Sequence, residues 1–209
     1  RESVQRRIAG RMGVYRLEDF NDYVALLQKE PAECERLAKD MLISVTRFFR
    51  DSEVFDYLRK SILPQVVANA RGNNLRFWIP GCATGEEVYS LGILVEEVLR
   101  ELGRTDMTCR FFATDLDKTS LDAASHGIYP ASISADVPRE LLEKYFVWQG
   151  KHFQVCRTIR ERIVFAKHNV LKDPPFTRLD LVSCRNLLIY LQPPAQQTVL
   201  SILHYALKP

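Results

Sequence analysis

The chain has 209 residues, of which 46% are hydrophobic and 26% charged, a composition typical of a globular protein with an ordinary core. Its net charge of +3 is too small to indicate general binding to nucleic acid, and no apolar run approaches the ~20 residues of a membrane-spanning helix. The five cysteines are scattered and odd in number, which argues against a metal site and predicts a reducing, cytoplasmic location.

Residues 1–60 are predicted to form an N-terminal helical subdomain. Apolar residues between Leu17 and Leu27 recur at spacings of three and four, as on one face of a helix. Pro31 opens the following segment, and proline is favoured in the first turn of a helix. The first segment is basic, with Arg6, Arg7 and Arg11. A solvated charged face explains this charge, and docking on the acidic helices of a partner is the alternative.

Residues 61–209 are predicted to form an α/β domain with a parallel sheet. Four short apolar runs end in polar residues: LRFWIP, CRFFATD, RIVFAKHN and LDLVSCRN. Between the first two runs lies an amphipathic helix whose apolar face contains Val88, Leu91, Val95 and Leu99. Strand, helix and strand in this order predict a right-handed crossover between parallel strands.

A small antiparallel insertion is predicted at about residues 130–162, between the second and third apolar runs. Polar and apolar residues alternate there on both sides of Gln149 and Gly150, a pair that suits a hairpin turn. The edge of this insertion could accept a strand from a partner, or it could only shield the main sheet.

The stretch FWIPGCATGEEVYSLG, residues 77–92, has the pattern of a strand, a glycine turn and a helix. Nucleotide-binding domains use this arrangement to present backbone N–H groups to a phosphate. Here a phosphate would face Glu86 and Glu87, which disfavours NAD, FAD and ATP. A cationic ligand without a phosphate, such as S-adenosylmethionine, suits the two carboxylates. The alternative is that Thr84 and Glu87 form a capping box that begins the helix near Gly85, so that the acids only cap it.

Asp115 ends the second apolar run. From this position an acidic side chain can accept hydrogen bonds from both ribose hydroxyls of a nucleoside. Aspartate is also common at strand ends as a turn former or helix cap, which is the alternative. The glycine turn in the same strand–helix–strand unit favours the ribose role.

Five separated motifs resemble those of the CheR-type chemotaxis receptor methyltransferases, in the same order and spacing over nearly the whole chain. The motifs are SVTRFFRD, GCATGEEVYSLG, FFATDLD, KHNVL and CRNLLIYL. The run DPPFTRLDLVSCRNLLIYL is similar to the methyltransferase part of fusion proteins that also carry a methylesterase-like domain and PAS sensors.

The resemblance implies a Rossmann-like, S-adenosylmethionine-dependent methyltransferase fold with an N-terminal helical subdomain and a three-stranded β insertion. It also implies transfer of a methyl group to glutamate side chains on the cytoplasmic helices of chemoreceptors, with S-adenosyl-L-homocysteine as the product. Neither nucleic acid nor a membrane is expected as a partner.

On the methionyl side of the cofactor, the resemblance places Thr46 and Arg50 along the pocket wall. Either Glu86 or Glu87 would hold the methionyl ammonium, and Gly81 would allow its close approach.

On the nucleoside side, the resemblance gives Asp115 the ribose. Asn169 and Val170 would contact the adenine, and Arg185 and Asn186 would close the pocket beneath it.

The chain departs from the family pattern in four places. Ser44 belongs to the implied cofactor pocket, but many members have asparagine there, and a contact from that amide is not expected. Val88 replaces the proline that is common after the two glutamates. The hairpin is short, so we expect no tether to a C-terminal receptor pentapeptide. The final strand pair that the family has after LKP is absent, so we expect truncated C-terminal strands and a fragment of a longer protein.

Carboxyl methylation requires no general base, because a glutamate with a pKa near ~4.3 is already ionised at neutral pH. No Ser-His-Asp or Cys-His set is apparent in the sequence. A guanidinium can orient the acceptor carboxylate as a fork, and the candidates for this catalytic role are Arg50 and Arg185. The alternative for each is a surface ion pair. The resemblance implies that Tyr190 stands near the departing methyl group, with ordinary core packing as its alternative.

Two other functions stay open from the sequence. The domain could bind S-adenosylmethionine as a catalytically idle signalling or scaffolding module. Residues 173–176, DPPF, also resemble the catalytic tetrapeptide of nucleic-acid amino-methyltransferases, in which it ends the fourth strand. Here the tetrapeptide precedes the run LDLVSC, so we interpret it as a proline-rich loop.

Overall fold

The computed structural model describes residues 2–41 and 46–208 and divides into two compact units, residues 1–45 and 46–209. Residues 46–60, which the helical patterns group with the N-terminal subdomain, lie in the larger unit. Phe48 and Phe55 explain this difference, because both are buried in the hydrophobic core of that unit.

The smaller unit contains three described helices: α1 (Glu2–Val14), α2 (Phe20–Lys29) and α3 (Pro31–Met41). The last of these begins at Pro31, as the sequence predicts. Asp19 caps α2 by accepting a hydrogen bond from the Asn21 N–H at 2.7 Å. Tyr23 is buried, whereas Phe20 is 55% exposed, so the apolar face of α2 is narrower than its spacing indicates.

Glu33 of α3 is fully buried and joins the helices of the smaller unit. Its Oε1 accepts hydrogen bonds from Arg11 Nε at 2.8 Å and Tyr23 Oη at 2.9 Å. Its Oε2 accepts hydrogen bonds from Arg11 Nη2 and from Tyr15 Oη, the latter at 2.9 Å, and lies 3.6 Å from Arg36 Nη1. Arg11 above all holds the pKa of Glu33 down at about 2, although burial opposes it. With 16% of its side chain exposed, Arg11 does not present the basic surface that partner docking would require.

The larger unit begins with α4 (Ser52–Tyr57), a π-helical turn (Leu58–Ile62) and α5 (Leu63–Ala68). There follow β1 (Asn74–Pro80), α6 (Glu86–Glu101), β2 (Thr108–Asp115), α7 (Lys118–His126), β3 (Ile128–Pro130), a 3₁₀ turn (Ala131–Ala135), α8 (Arg139–Tyr145), β4 (Phe146–Trp148) and β5 (His152–Val155). The unit continues with α9 (Arg157–Arg160), β6 (Ile163–Lys167), β7 (Leu181–Val182), a 3₁₀ turn (Leu188–Tyr190) and α10 (Pro193–Ala206). Across residues 2–41 and 46–208, no helix combines the length and the apolar character needed to cross a membrane.

The main sheet is parallel throughout and has the strand order β6-β2-β1-β7. The pairing of β1 with β2 runs from Asn74 opposite Thr108 to Pro80 opposite Thr114. The predicted apolar face of α6 is buried. The sheet and its crossover helix therefore confirm the predicted α/β domain. The strand order reverses between β1 and β7, and in such sheets ligands bind outside the carboxyl ends at this switch point.

The predicted insertion is a three-stranded antiparallel sheet with the order β3-β5-β4. Trp148 pairs with Phe153 across the hairpin, and Gly150 in the turn has a φ of 74°. Tyr145 Oη and Lys144 Nζ donate to Glu97 of α6, which attaches the insertion to the crossover helix. The hairpin prediction is confirmed.

A second hydrophobic cluster covers the other face of the sheet, where Trp78 packs with residues of α10. Phe176, from the DPPF stretch, stacks on Phe112 with ring centres 4.6 Å apart. The Asn169 N–H donates to Asp173 Oδ2 at 2.7 Å. The DPPF stretch is therefore a packed loop that precedes β7, as predicted, and does not lie at the carboxyl end of a strand.

Candidate active site

The candidate site lies at the carboxyl ends of the parallel strands, around the glycine turn of residues 81–85 that joins β1 to α6. The N–H groups of Gly81 and Cys82 donate to the main-chain oxygen of Thr114 at 2.7 and 3.0 Å. Gly81 has a φ of 73° and Gly85 a φ of 94°, and a Cβ at Gly85 would lie 3.0 Å from a neighbouring side chain. Both positions favour glycine, because a left-handed backbone and close packing each penalise a side chain.

The predicted capping box is wrong. Gly85 is the N-cap of α6 and has no side chain that could cap the helix, so Thr84 is not the N-cap residue. Thr84 Oγ1 instead donates to Glu86 Oε2 at 2.7 Å, and Glu87 Oε1 accepts a hydrogen bond from Ser183 Oγ at 2.8 Å. The cause is the left-handed Gly85, which puts the N-cap one residue beyond Thr84. Neither carboxylate therefore belongs to a capping box with Thr84.

Asp115 holds the glycine turn from the end of β2. Its Oδ2 accepts a hydrogen bond from the Ala83 N–H at 2.8 Å, and its Oδ1 accepts one from the Asp117 N–H at 3.0 Å. A carboxylate has about four lone-pair sites, so about two are left for ribose hydroxyls. The turn-forming alternative thus describes what Asp115 does here, and the ribose role is compatible with it.

Arg185 connects the loop after β7 with the turn at residues 50–51. Its Nη2 donates to the main-chain oxygen of Arg50 and to Asp51 Oδ2, both at 2.7 Å. Its guanidinium carbon lies 5.2 Å from the centre of the Phe55 ring. Its Nη1 is 3.9 Å from Glu87 Oε2, an ion-pair distance too long for a hydrogen bond. Within the described residues this buried Nη1 has no hydrogen-bond partner, so it is a donor suited to a ligand carboxylate.

Arg50 stands between two residues with left-handed backbone. Phe49 has a φ of 48° and Asp51 a φ of 57°, values that are uncommon for residues other than glycine. The charge of Arg50 is close enough to Glu87 to lower the pKa of that carboxyl group. The structure therefore brings the Arg50 turn, Arg185 and Glu87 together at the switch point.

Burial raises the pKa of both Glu86 and Glu87 above its usual range. A hydrogen bond from Thr84, and after it a backbone hydrogen bond at Glu86, oppose this rise in the pKa of Glu86. At Glu87, the Ser183 hydrogen bond and then the charges of Arg185 and Arg50 oppose it. Partly desolvated carboxylates gain more from a cationic ligand than carboxylates in water do, because the local dielectric constant is lower.

Two cysteines flank the site, and neither is a thiolate at neutral pH. Burial raises the pKa of Cys184 to about 11, and burial followed by the charge of Asp115 raises the pKa of Cys82 well above its usual value. Because the thiolate is the nucleophilic form, the site does not present a cysteine nucleophile.

Asn169 and Val170 lie in the loop after β6. Asn169 Oδ1 accepts a hydrogen bond from the Leu171 N–H at 3.0 Å, so this amide shapes its own loop. Val170 packs against the second hydrophobic cluster. The His168 N–H donates to the main-chain oxygen of Asp115 at 3.0 Å, which places the start of this loop beside the carboxyl end of β2.

The other predicted site residues differ in how the structure places them. Thr46 is half-buried at the start of the larger unit, and Asn186 is half-buried with a φ of 60°. Tyr190 is 50% exposed, so core packing is not its role. Ser44 lies outside the described residues.

The sequence analysis missed three residues that complete the hydrogen bonds of the site: Ser183, Asp51 and Tyr129. Ser183 directly follows β7, and the tendency of polar residues at strand ends to face a site could have identified it. Tyr129 Oη donates to the main-chain oxygen of Thr84 at 2.6 Å. Nothing in the sequence signals this last contact, because it depends on how the insertion folds against the glycine turn.

Two family models match the chain. The all-alpha domain of the CheR methyltransferases matches residues 1–42, and their SAM-binding domain matches residues 44–209. The second match contains all the contacts of the site described above. The chain belongs to the CheR methyltransferase family. The predicted Rossmann-like methyltransferase fold is thereby confirmed.

Curated relatives of this CheR chain include proteins of two kinds. It is 44% identical to an uncharacterised 104.1 kDa protein of Rhodobacter capsulatus, over 99% of this chain and 22% of that protein. It is 31% identical to a chemotaxis protein methyltransferase of Borreliella burgdorferi, over 90% of this chain and 69% of the relative. The chemotaxis protein methyltransferase Cher2 of Pseudomonas putida is also 31% identical, over 92% of this chain and 72% of the relative. The chain therefore spans about a fifth of the first relative and about 70% of the other two.

The CheR site fits S-adenosylmethionine, which is the cofactor of the matched domain. Two half-buried carboxylates stand in the first turn of α6, and they suit the positive charges of the methionyl part. The expectation of S-adenosylmethionine as the cofactor is confirmed.

Proposed function

We propose that this CheR domain transfers a methyl group from S-adenosylmethionine to glutamate side-chain carboxylates of chemoreceptors. The observation that carries the proposal is the meeting of Glu87, Arg185 and the Arg50 turn at the carboxyl ends of β1 and β7. The relatives that are named chemotaxis protein methyltransferases support chemoreceptors as the substrate class.

At the methionyl end of the cofactor, we assign the ammonium to Glu87 and the carboxylate to Arg50. Glu87 is preferred over Glu86 because its carboxylate faces the loop after β7 at the switch point, whereas Glu86 bonds to Thr84 in its own turn. In this assignment Gly81 permits close approach of the methionyl part to the main chain, because glycine carries no side chain.

At the nucleoside end, the remaining lone pairs of Asp115 accept the ribose hydroxyls. Asn169 and Val170 are assigned to the adenine, because their loop follows the strand beside β2. Asn186 closes the pocket beneath the cofactor.

When bound, S-adenosylmethionine supplies a methyl group that its sulfonium makes electrophilic. The acceptor glutamate is already ionised at neutral pH, so no residue of the chain has to remove a proton. The chain supplies alignment, which can lower a barrier by up to roughly 7–11 kcal/mol. In this proposal Arg185 Nη1 orients the acceptor carboxylate, and Tyr190 at the rim lies beside the methyl group in transfer.

Two other functions are alternatives with different predicted outcomes. A nucleic-acid amino-methyltransferase would need the DPPF stretch at the carboxyl end of a strand, and the packing of Phe176 on Phe112 argues against this. A catalytically idle module would bind the cofactor without transferring its methyl group.

The test is methyl transfer from tritiated S-adenosylmethionine to chemoreceptor-containing membranes, with DNA as the parallel acceptor. We expect label on the receptors that base releases as methanol, because glutamyl methyl esters are hydrolysed by base and methylamines are not. Arg50→Ala should abolish this label. Arg104→Ala should not, because Arg104 forms an exposed ion pair with Asp106. Label on DNA, or cofactor binding without any transfer, would reject the proposal.

We also propose a cytoplasmic location and docking on the cytoplasmic helices of the receptor. Because Arg11 is bound to Glu33, the docking hypothesis now concerns Arg6 and Arg7. The short hairpin between β4 and β5 supports the absence of a receptor pentapeptide tether. The coverage of only 22% of the 104.1 kDa relative is compatible with a place in a multidomain fusion protein.

A further inference from the structure

Ser90 is a fully buried serine in α6, one turn after Glu86. Its Oγ donates to the main-chain oxygen of Glu86 at 2.7 Å, a common bond for serine within a helix. The same Oγ accepts a hydrogen bond at 2.9 Å from the N–H of Phe49, which lies 41 positions earlier in the chain. A serine hydroxyl offers one donor and two acceptor sites, so both bonds can form together.

The second bond holds a residue in a costly conformation. Phe49 has a φ of 48°, and a left-handed backbone is an outlier for a bulky residue. Such conformations persist only where the surrounding structure determines them, and they are frequent at functional sites. Without Ser90, the Phe49 N–H would lose the partner that it has in this turn.

Contacts with several other elements hold the turn that carries Arg50. The Phe48 ring packs edge-on against Tyr129 and Phe146, with ring centres 4.8 and 5.4 Å apart. The Phe49 N–H bonds to Ser90, and the main-chain oxygen of Arg50 accepts a hydrogen bond from Arg185. Of these anchors, the Ser90 bond is the one that ties the turn to the helix that begins with Glu86 and Glu87.

We propose that Ser90 is a positioning residue for Arg50. Its hydroxyl couples the backbone at Phe49 to the first turn of α6, so the guanidinium of Arg50 and the carboxylate of Glu87 keep a fixed spacing. The inference rests on the proposed function in one respect, the assignment of Arg50 to the carboxylate of the cofactor.

The test is a double-mutant cycle on the affinity for S-adenosylhomocysteine, measured by calorimetry. Arg50→Ala should weaken binding about tenfold to hundredfold, as expected for a charge-assisted hydrogen bond, and Ser90→Ala about threefold to tenfold. In the Arg50→Ala background, Ser90→Ala should cost less than about twofold, because its effect passes through Arg50. The inference is overturned if the affinity losses of the two single variants multiply in the double variant, or if neither single variant loses affinity.

Hydrogen exchange separates positioning from a general loss of structure. Ser90→Ala should speed exchange at residues 47–51 and leave α6 protected, since alanine is the best helix former. Faster exchange along all of α6 would overturn the inference. The matched control is Ser201→Ala, because Ser201 Oγ also donates to the carbonyl four residues earlier, at 3.1 Å, and is exposed in α10. This control should leave affinity unchanged.

The cycle needs no receptor, so its result is independent of the acceptor. Suppose that Ser90→Ala loses its effect in the Arg50→Ala background and that no methyl group is transferred to receptors. This result would reject the proposed substrate and support the role of Ser90.

Discussion

Glu86 and Glu87 are neighbours in the chain, but they meet different partners. Glu86 bonds to Thr84 within the glycine turn, whereas Glu87 bonds to Ser183 and faces Arg185 across the switch point. The two carboxylates have different partners because α6 begins one residue later than a capping box at Thr84 would require. Its N-cap is Gly85, which has a left-handed backbone.

Glu87→Gln should weaken binding of both S-adenosylmethionine and S-adenosylhomocysteine by about tenfold to hundredfold. Both compounds carry the ammonium that Glu87 is proposed to hold, and only the first carries the sulfonium. Calorimetry with the two compounds therefore distinguishes the two positive charges. A loss confined to S-adenosylmethionine would mean that Glu87 acts on the sulfonium.

Glu86→Gln is the matched control for this pair of titrations. It removes the same charge one residue earlier and should weaken the binding of both compounds less than Glu87→Gln does. The assignment of the ammonium to Glu87 fails if Glu86→Gln causes the larger loss.

The glycine turn and α6 are joined at Gly85, so a change at this residue affects both. Gly85 is the N-cap of α6, and it lies close to side chains of α7 and β3. Tyr129 donates to the Thr84 carbonyl from β3, so the insertion also supports this turn.

Gly85→Ala should lower the free energy of unfolding of the larger unit by about 1–3 kcal/mol. The added Cβ would lie 3.0 Å from the Ala124 Cβ, at a φ of 94°. Gly10→Ala is the contrasting variant, because Gly10 lies within α1 with nothing within 4 Å of a built Cβ. It should raise the stability of the smaller unit by about 0.5–1 kcal/mol. Urea titrations of both variants measure these changes, and a neutral Gly85→Ala would contradict the packing argument.

The strands and the crossover helix could be predicted from the sequence because their signals are local. Short apolar runs, a helical apolar face and the hairpin turn at Gly150 are each encoded by neighbouring residues, so they can be recognised without knowledge of the tertiary structure. The capping box is wrong because Gly85, with a left-handed φ of 94°, is itself the N-cap, and sequence spacing does not reveal a backbone angle.

The candidate site was predictable only in part, for the same reason. Asp115 stands at a strand end, which a pattern of apolar runs reveals. The bonds from Ser183 to Glu87 and from Arg185 to Asp51 connect segments 96 and 134 positions apart in the chain. Such pairings follow from sheet order, and sheet order is a property of the folded domain.

The chain as a whole consists of two units with different sources of stability. The larger unit has an extensive core on one face of its sheet and a second cluster on the other. In the smaller unit, the buried carboxylate of Glu33 holds charged and phenolic side chains together. We therefore expect the smaller unit to respond to acid more than the larger one does.

Glu33→Gln should destabilise the smaller unit by about 3–5 kcal/mol, because it leaves the guanidinium of Arg11 without its buried counter-charge. Hydrogen exchange in α1, α2 and α3 measures the effect locally. Glu18→Gln removes an exposed carboxylate of the same unit and should change exchange little. Equal effects of the two substitutions would show that burial of Glu33 does not matter.

The same carboxylate predicts a pH dependence with a definite sign. The pKa of Glu33 is lowered from its ordinary value of 4.5 to about 2. Above 4.5, both the folded and the unfolded chain carry the ionised group, so its stabilisation is complete. As the pH falls from 4.5 towards 2, the unfolded chain takes up a proton that the folded chain still excludes, and the stabilisation declines. The stability difference between wild type and Glu33→Gln should therefore shrink over this range, and a difference that stays constant would contradict the lowered pKa.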